Sequence, residues 1–332
     1  MISGKTEITV LVTGIGAIIG QGIIKSLRKS KFSVRIVGLD RSNRSPGPFL
    51  CDAFRQKLHY EEDTQEYVAF WRDILKKEPV DAVIPGLEVD VFFLDAHRAL
   101  FQEFGVAVVL NRPELIALSA DKWQLGEQLA DAGLRCIPSS IPESWEQAVL
   151  ELGQAPLLLK PRNGNGSRGI ARLYDERDFQ YWRAKSGDNW MLQRIVGDDS
   201  SEFTVGVFGF GDGKSIDPIV LKRRLSAVGN TLEATVANDL VIEEATERLT
   251  QHFKPLGPTN YQFRKEGDTA YLLEINPRFS SSNSLRTAFG FNEAEMAIDY
   301  FKFRRIPGQP VLKAGTAWRY SEDFVDYASR TL

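Results

Sequence analysis

Histidine and cysteine are scarce in this chain of 332 residues. The three histidines, His59, His97 and His252, lie far apart, and none belongs to an HExxH pattern or sits beside a cysteine pair. That argues against a zinc site and against a Ser-His-Asp triad. The two cysteines, Cys51 and Cys136, form neither a CxxC nor a disulfide framework, and they suit a reducing compartment. No run approaches the roughly 20 apolar residues of a membrane helix. Residues 1–9 lack the basic-then-apolar pattern of a secretory leader. Neither sign of charge dominates: 41 basic and 44 acidic residues leave a net charge of −3, which offers no basic footprint for nucleic acid. The expectation is a cytoplasmic protein with no nucleic-acid or membrane partner. Any metal it uses would be held by oxygen ligands, which favours Mg2+ or Mn2+.

In the first third, apolar runs at 8–13, 34–39, 80–84 and 105–110 alternate with helical patterns at 21–29, 64–77 and 89–104. Strands alternating with helices predict an α/β fold with a parallel sheet. Near Asn111 the pattern changes. Asn111-Arg112-Pro113 can open a helix, and a second helix spans about 121–132. Beyond it, strands are expected at 157–160, 189–196, 202–209, 216–221, 259–265 and 269–275, with a helix at about 238–253.

Two glycine clusters and one polar constellation carry chemistry. The first cluster, Thr13-Gly14-Ile15-Gly16-Ala17-Ile18-Ile19-Gly20, sits between a strand and a helix, with Asp40 at the end of the next strand. It suggests a dinucleotide turn, but the spacing is GxGxxxG, and a tight strand-to-helix turn without ligand explains it as well. An NAD(P)-dependent sugar oxidoreductase built on this cluster is the alternative reading. It would need a Tyr-x-x-x-Lys pair, and the only such spacing is Tyr181 with Lys185. The second cluster follows a strand ending in Lys160 and holds Gly164, Gly166, Ser167 and Gly169. A cation and a donor-rich loop can meet phosphates, or the loop is a surface hairpin.

The constellation is Gln262, Glu274 and Asn276. Glu274 and Asn276 are two apart on one strand and so share a face, while Leu273 and Ile275 are expected on the other. If the strands around Gly267-Asp268 pair, all three polar side chains reach one place. Three oxygen donors suit Mg2+ carrying phosphate, and Arg278 just beyond could neutralise a phosphoryl group in transfer. By position, Arg223 and Arg286 are candidates to anchor a substrate carboxylate, or are solvated charges. Glu88 and Asp90 could face an interdomain cleft, as could Trp318 and Arg319.

Lys160 with its loop, Glu202-Phe203-Thr204-Val205, and Glu274-Ile275-Asn276-Pro277-Arg278 together resemble the ATP-grasp superfamily. The likeness is to the synthetase halves of carbamoyl-phosphate synthase large subunits and to carboxylate–amine ligases. The resemblance implies a Rossmann-like pre-ATP-grasp domain over 1–111 that binds no dinucleotide. A two-lobed ATP-grasp domain would follow over 112–332, with a lid lobe at about 124–192 and a larger lobe at 193–332. It implies ATP and Mg2+ as cofactors and small-molecule carboxylate and amine substrates, and it is compatible with a homodimer. It implies that Lys122 and Lys160 contact ATP phosphates and that Gly164, Gly166 and Ser167 close over them. Gln193, Arg194, Ile195 and Val196 would lie against adenine, and Glu202 would hold the ribose. Gln262, Glu274 and Asn276 would bind the metal, and Arg278 would face the transferred phosphate.

Overall fold

In the computed structural model, which describes residues 7–57, 61–62, 64–164, 169–226 and 229–325, the chain begins with five strands. These are β1 (Glu7–Thr13), β2 (Ser33–Asp40), β3 (Ala53–Gln56), β4 (Ala82–Ile84) and β5 (Ala107–Val108). They form one parallel sheet in the order β3-β2-β1-β4-β5. Its central strands are buried on both faces, as crossover helices require. One helix, Ile18–Arg28, buries Gly20, Ile23, Ile24 and Leu27 at helical spacing. Another, Gln65–Lys77, starts where Thr64 accepts a bond from the backbone of Tyr67, and it buries Tyr67 and Trp71. The edge strand β3 escaped the sequence reading because it has only four residues and half of them are exposed. The helical pattern at 89–104 is two helices, Glu88–Ala96 and Arg98–Glu103, which meet at His97.

The first glycine cluster is used for packing. Gly14 has φ +61°, and a Cβ on Gly20 would lie 2.3 Å from the Gly14 carbonyl oxygen. The Asp40 carboxylate accepts from the backbone N of Gly16 at 2.8 Å. The acid at the end of β2 therefore ties down the turn, in the position where a dinucleotide fold would present it to a ribose.

After the helices Pro113–Ser119 and Lys122–Asp131 comes a small antiparallel sheet. It comprises β6 (Ser139–Ser140), β7 (Leu157–Lys160), β8 (Ala171–Leu173) and β9 (Met191–Arg194), in the order β6-β9-β7-β8. The helices Trp145–Leu152 and Glu176–Ser186 cover it, and Leu152, Leu157, Leu159, Phe179, Trp190 and Leu192 form a core of its own.

The third sheet has six antiparallel strands: β10 (Glu202–Phe210), β11 (Ile219–Leu225), β12 (Thr231–Val236), β13 (Leu256–Glu266), β14 (Thr269–Asn276) and β15 (Thr316–Trp318). Their order is β14-β13-β10-β11-β12-β15. Leu125 and Leu129 of the helix Lys122–Asp131 pack on this sheet with Phe203, Phe263 and Leu272, and the helix Leu240–Phe253 lies beside them.

The parallel sheet and the six-stranded sheet share a core that includes Val10, Ile23, Phe208, Phe289, Phe291 and Met296. Polar contacts fix their alignment. Asn111 donates to Thr259 Oγ1 at 2.8 Å, and its oxygen accepts from the backbone of Leu256 at 2.9 Å. Asn283 donates to the carbonyl of Ile19 at 3.3 Å. A side chain at Gly22 would meet Asn283 Oδ1 at 2.5 Å, so glycine lets the two helices touch there. The β1-to-helix turn is thereby held against the segment that follows β14.

Candidate active site

A cavity of about 440 Å3 lies where the three sheets meet. The four-stranded sheet lines it with Leu158, Lys160, Gln193 and Arg194, and Ile195 and Val196 extend that wall. The six-stranded sheet contributes Glu202, Arg223, Asn260, Gln262, Arg264, Leu273, Glu274 and Asn276. The N-terminal unit adds Ala17, Ile18, Ile19 and Glu88.

The hairpin of β13 and β14 builds the most polar part of the wall. Its register sets Asn260 opposite Asn276 and Gln262 opposite Glu274. The Glu274 carboxylate accepts from Gln262 Nε2 at 2.5 Å and from Asn276 Nδ2 at 2.9 Å. The expected convergence of these three residues is therefore present. The pairing shifts beside Gln262, where Phe263 faces Leu272 instead of Leu273. The extra residue breaks the alternation. Leu273 lines the cavity beside Glu274, contrary to its expected place on the opposite face, while Leu272 and Ile275 are buried.

Three oxygen-bearing side chains with a single carboxylate are a weak cation site by themselves. Among the described residues no group of three or more His, Cys, Asp or Glu is assembled. A hard divalent cation would fit these oxygens if negative charge arrived with a phosphate ligand.

Lys160 ends β7 and is only 8% exposed. Among the described residues no carboxylate lies within hydrogen-bonding distance of its ammonium. Burial pushes its pKa down to about 8, Glu274 pulls it back up, and Lys122 and Arg264 add to the lowering. An amine this buried and lacking an anionic partner favours an anionic ligand. Lys122 opens its helix, which Asp121 caps, and its ammonium donates to the carbonyl of Gly164. Arg162 binds Asp121 at 2.5 Å, so the start of the loop after β7 is tied to that helix. Gly164 lines the cavity with φ +107°. Gly166 and Ser167 lie outside the described residues.

Glu202 is held on both sides. Its Oε1 accepts from Arg223 Nη2 at 2.6 Å and its Oε2 from Arg264 Nη2 at 3.1 Å. Arg223 also donates to Gln262 Oε1 at 2.5 Å. Arg223 does line the cavity, but its guanidinium is occupied by Glu202 and Gln262 and is not held open for a substrate. Arg264 escaped the sequence reading, although it lies two residues from Gln262 on the same strand face. Gln193 lines the wall while its amide donates to Ser139 Oγ at 2.8 Å. Arg194 pairs with Glu266 at 3.0 Å. Arg278 reaches back to Glu88 at 3.2 Å, which joins the two units across the cavity.

Arg286 requires a correction. It does not line the cavity; it is fully buried beside the cavity wall and paired with Glu293 at 3.1 Å. The helix Asn283–Ala288 lays its guanidinium flat on β10, where a Cβ on Gly206 would meet it at 2.8 Å. Removing one member of a buried pair strands the other charge. Glu293→Ala is therefore expected to cost about 3–5 kcal/mol in urea-unfolding free energy, a loss that a solvated pair would not show. Arg319 donates to the carbonyl of cavity-lining Ser281 at 2.7 Å, supporting the wall from behind, while Trp318 is exposed. Tyr181 and Lys185 lie on the outer helix Glu176–Ser186, the ammonium of Lys185 5.0 Å from the ring centroid of Tyr181. They do not line the cavity.

A small two-layered lobe and a larger antiparallel sheet, with a polar cavity between them and a Rossmann-like unit in front, make up the ATP-grasp fold. Residues 188–323 match the family described as ATP-grasp in the biosynthetic pathway with Ter operon, and residues 10–109 match the PylC-like N-terminal domain. Carbamoyl phosphate synthase large chains are its relatives. The C-terminal section of the Aquifex aeolicus large chain is 25% identical over 240 residues, covering 68% of this chain and 43% of that protein. The Thermotoga maritima large chain is 23% identical over 95% of this chain and 31% of its own length. The chain thus spans less than half the length of these relatives.

Among solved structures, the N5-carboxyaminoimidazole synthetase of Staphylococcus aureus complexed with ADP superposes with a TM-score of 0.72. It is 18% identical, over 93% of this chain and 81% of that one. The biotin carboxylase of Campylobacter jejuni also gives a TM-score of 0.72, at 16% identity over 93% of this chain and 74% of that one. At these identities the likeness speaks for the fold. Among the described residues no helix is long and apolar enough to cross a membrane.

Proposed function

We propose that this protein is an ATP-dependent ligase that activates a carboxylate as an acyl phosphate and couples it to an amine or ammonia, releasing ADP and phosphate. The observation that carries the reading is the meeting of Lys122, Lys160, Glu202, Gln262, Glu274, Asn276 and Arg278 around one cavity. They come from one helix, two sheets and the segment after β14, and from residues up to 156 positions apart, counted from Lys122 to Arg278.

In this reading residues 1–111 are the pre-ATP-grasp unit, 124–192 the lid and 193–332 the larger lobe. The adenine lies against Ile195, Val196 and Leu273, and the ribose lies near Glu202. Lys122 and Lys160 draw the phosphates in, and the backbone at Gly164 closes over them. Gln262, Glu274 and Asn276 would hold Mg2+, or Mn2+, by their oxygens. The cation would neutralise phosphate charge during transfer. A carboxylate oxygen of the substrate attacks the γ-phosphorus in line and ADP leaves. The amine then attacks the acyl carbon, and phosphate departs with that oxygen. Arg278, oriented by Glu88, offsets the charge of the transferring group. The protein contributes positioning and charge and supplies no nucleophile of its own.

The first test is nucleotide choice. Mg-ATP at a hundred times its Kd is expected to raise stability by about 2.7 kcal/mol in thermal unfolding, and NADH is expected to leave it unchanged. Stabilisation by NADH and none by Mg-ATP would favour the oxidoreductase reading. A phosphate-release screen of carboxylate and amine pairs with Mg-ATP then identifies the substrates.

A further inference from the structure

Asn260 on β13 is a residue to which the preceding mechanism gives no task. It is 1% exposed, lines the cavity, and faces Asn276 across the hairpin. Its amide has one orientation open to it. The oxygen accepts from Thr204 Oγ1 at 2.6 Å and also from Arg286 Nη2. Thr204 itself accepts from Arg286 Nη2 at 3.1 Å, and Arg286 is anchored by both oxygens of Glu293. Two donors on the amide oxygen leave the NH2 group pointing away from them. Among the described residues that NH2 has no partner, and it belongs to the cavity wall beside the Glu274 and Asn276 side chains. A buried amide whose donors meet only a cavity awaits an acceptor, because leaving it unpaired is costly.

We propose that Asn260 donates to the substrate carboxylate oxygen that attacks the γ-phosphorus, and that Thr204, Arg286 and Glu293 are positioning residues that hold its NH2 toward that oxygen. The inference rests on the ligase reading. It also accounts for a fully buried ion pair directly behind the cavity wall. Arg286 acts on the substrate through Asn260, one side chain removed from the contact its position in the sequence suggested.

The phosphate released by the proposed reaction retains the carboxylate oxygen, so inorganic phosphate added to the Mg-ADP complex is the probe. Calorimetric titration of the wild-type protein should show phosphate binding in the presence of Mg-ADP. Asn260→Ala should weaken phosphate at least tenfold and leave the Kd of Mg-ADP within twofold. Thr204→Val nearly preserves shape, removes one of the two donors that orient the amide, and should weaken phosphate about threefold with the same ADP affinity. The Thr204 variant keeps the test open should the Asn260 variant misfold. Unchanged phosphate affinity in the folded variants, with Mg-ADP binding intact, overturns this assignment and leaves the ligase reading standing. Absence of phosphate binding to the wild-type Mg-ADP complex overturns it equally. Failure of the wild-type protein to bind Mg-ADP at all overturns both.

Discussion

Replacing either Glu274 or Asn276 by alanine is expected to lower Mg-ATP-dependent ADP formation by about a thousandfold, some 4 kcal/mol of transition-state stabilisation. The secondary structure seen by circular dichroism should be unaffected. Both side chains are only partly buried, and their bonds are to each other and to Gln262, so neither supports the core. Glu274 is the only carboxylate of the trio, and its loss should be the harder to offset. Excess Mg2+ should restore part of the activity of Asn276→Ala and almost none of Glu274→Ala. The measurement is ADP release at limiting and at saturating Mg2+, with the substrates that the phosphate-release screen selects. Near-normal turnover of both variants at limiting Mg2+ would remove the metal from this hairpin.

Lys160 is expected to set the pH dependence of nucleotide binding. Its pKa in the free protein is lowered from 10.5 to about 8, chiefly by burial. ATP phosphates beside the ammonium would favour the charged form and raise that pKa in the complex. Nucleotide would then bind the protonated protein. Affinity should be full below pH 8 and fall by roughly tenfold per pH unit above it, until the pKa of the complex is reached. Lys160→Arg, charged throughout, should flatten the profile.

The stability of the free protein runs the opposite way. A lysine whose folded pKa lies below its unfolded value binds fewer protons when folded, so stability rises with pH between about 8 and 10.5. Below pH 8 the folded state carries the whole cost of the buried charge, on the order of 3 kcal/mol. Lys160→Met should therefore make the free protein more stable at pH 7 while weakening Mg-ATP at least a hundredfold. Unfolding midpoints and nucleotide titrations from pH 7 to 10 check both halves. A methionine variant that binds Mg-ATP like the parent would separate Lys160 from the phosphates.

The polar hairpin was legible because its partners are close in the chain. Gln262 and Glu274 are joined by a short turn at Gly267-Asp268, and strand alternation brings Asn276 to the same face. The parallel sheet was legible for a similar reason: apolar runs alternating with helical patterns have few other solutions. The bulge that turns Leu273 into the cavity left no mark in the sequence, since alternation gives no warning of an extra residue. Strands β12 and β15 were also missed. β15 has three residues and pairs with a segment about 80 positions earlier, so the partner that makes it a strand is not visible locally.

Taken alone, the sequence determined that Gln262, Glu274 and Asn276 would meet across one hairpin. Local spacing sets that outcome, because the backbone repeat dictates side-chain direction. Only the tertiary structure decided which of the charged residues were available to a ligand. Glu88 meets Arg278 across 190 residues, Glu202 is enclosed by Arg223 and Arg264, and Arg286 vanishes behind the wall against Glu293. Whether a guanidinium is free or occupied depends on which carboxylate the packing brings within about 3 Å, and that distance belongs to the folded chain.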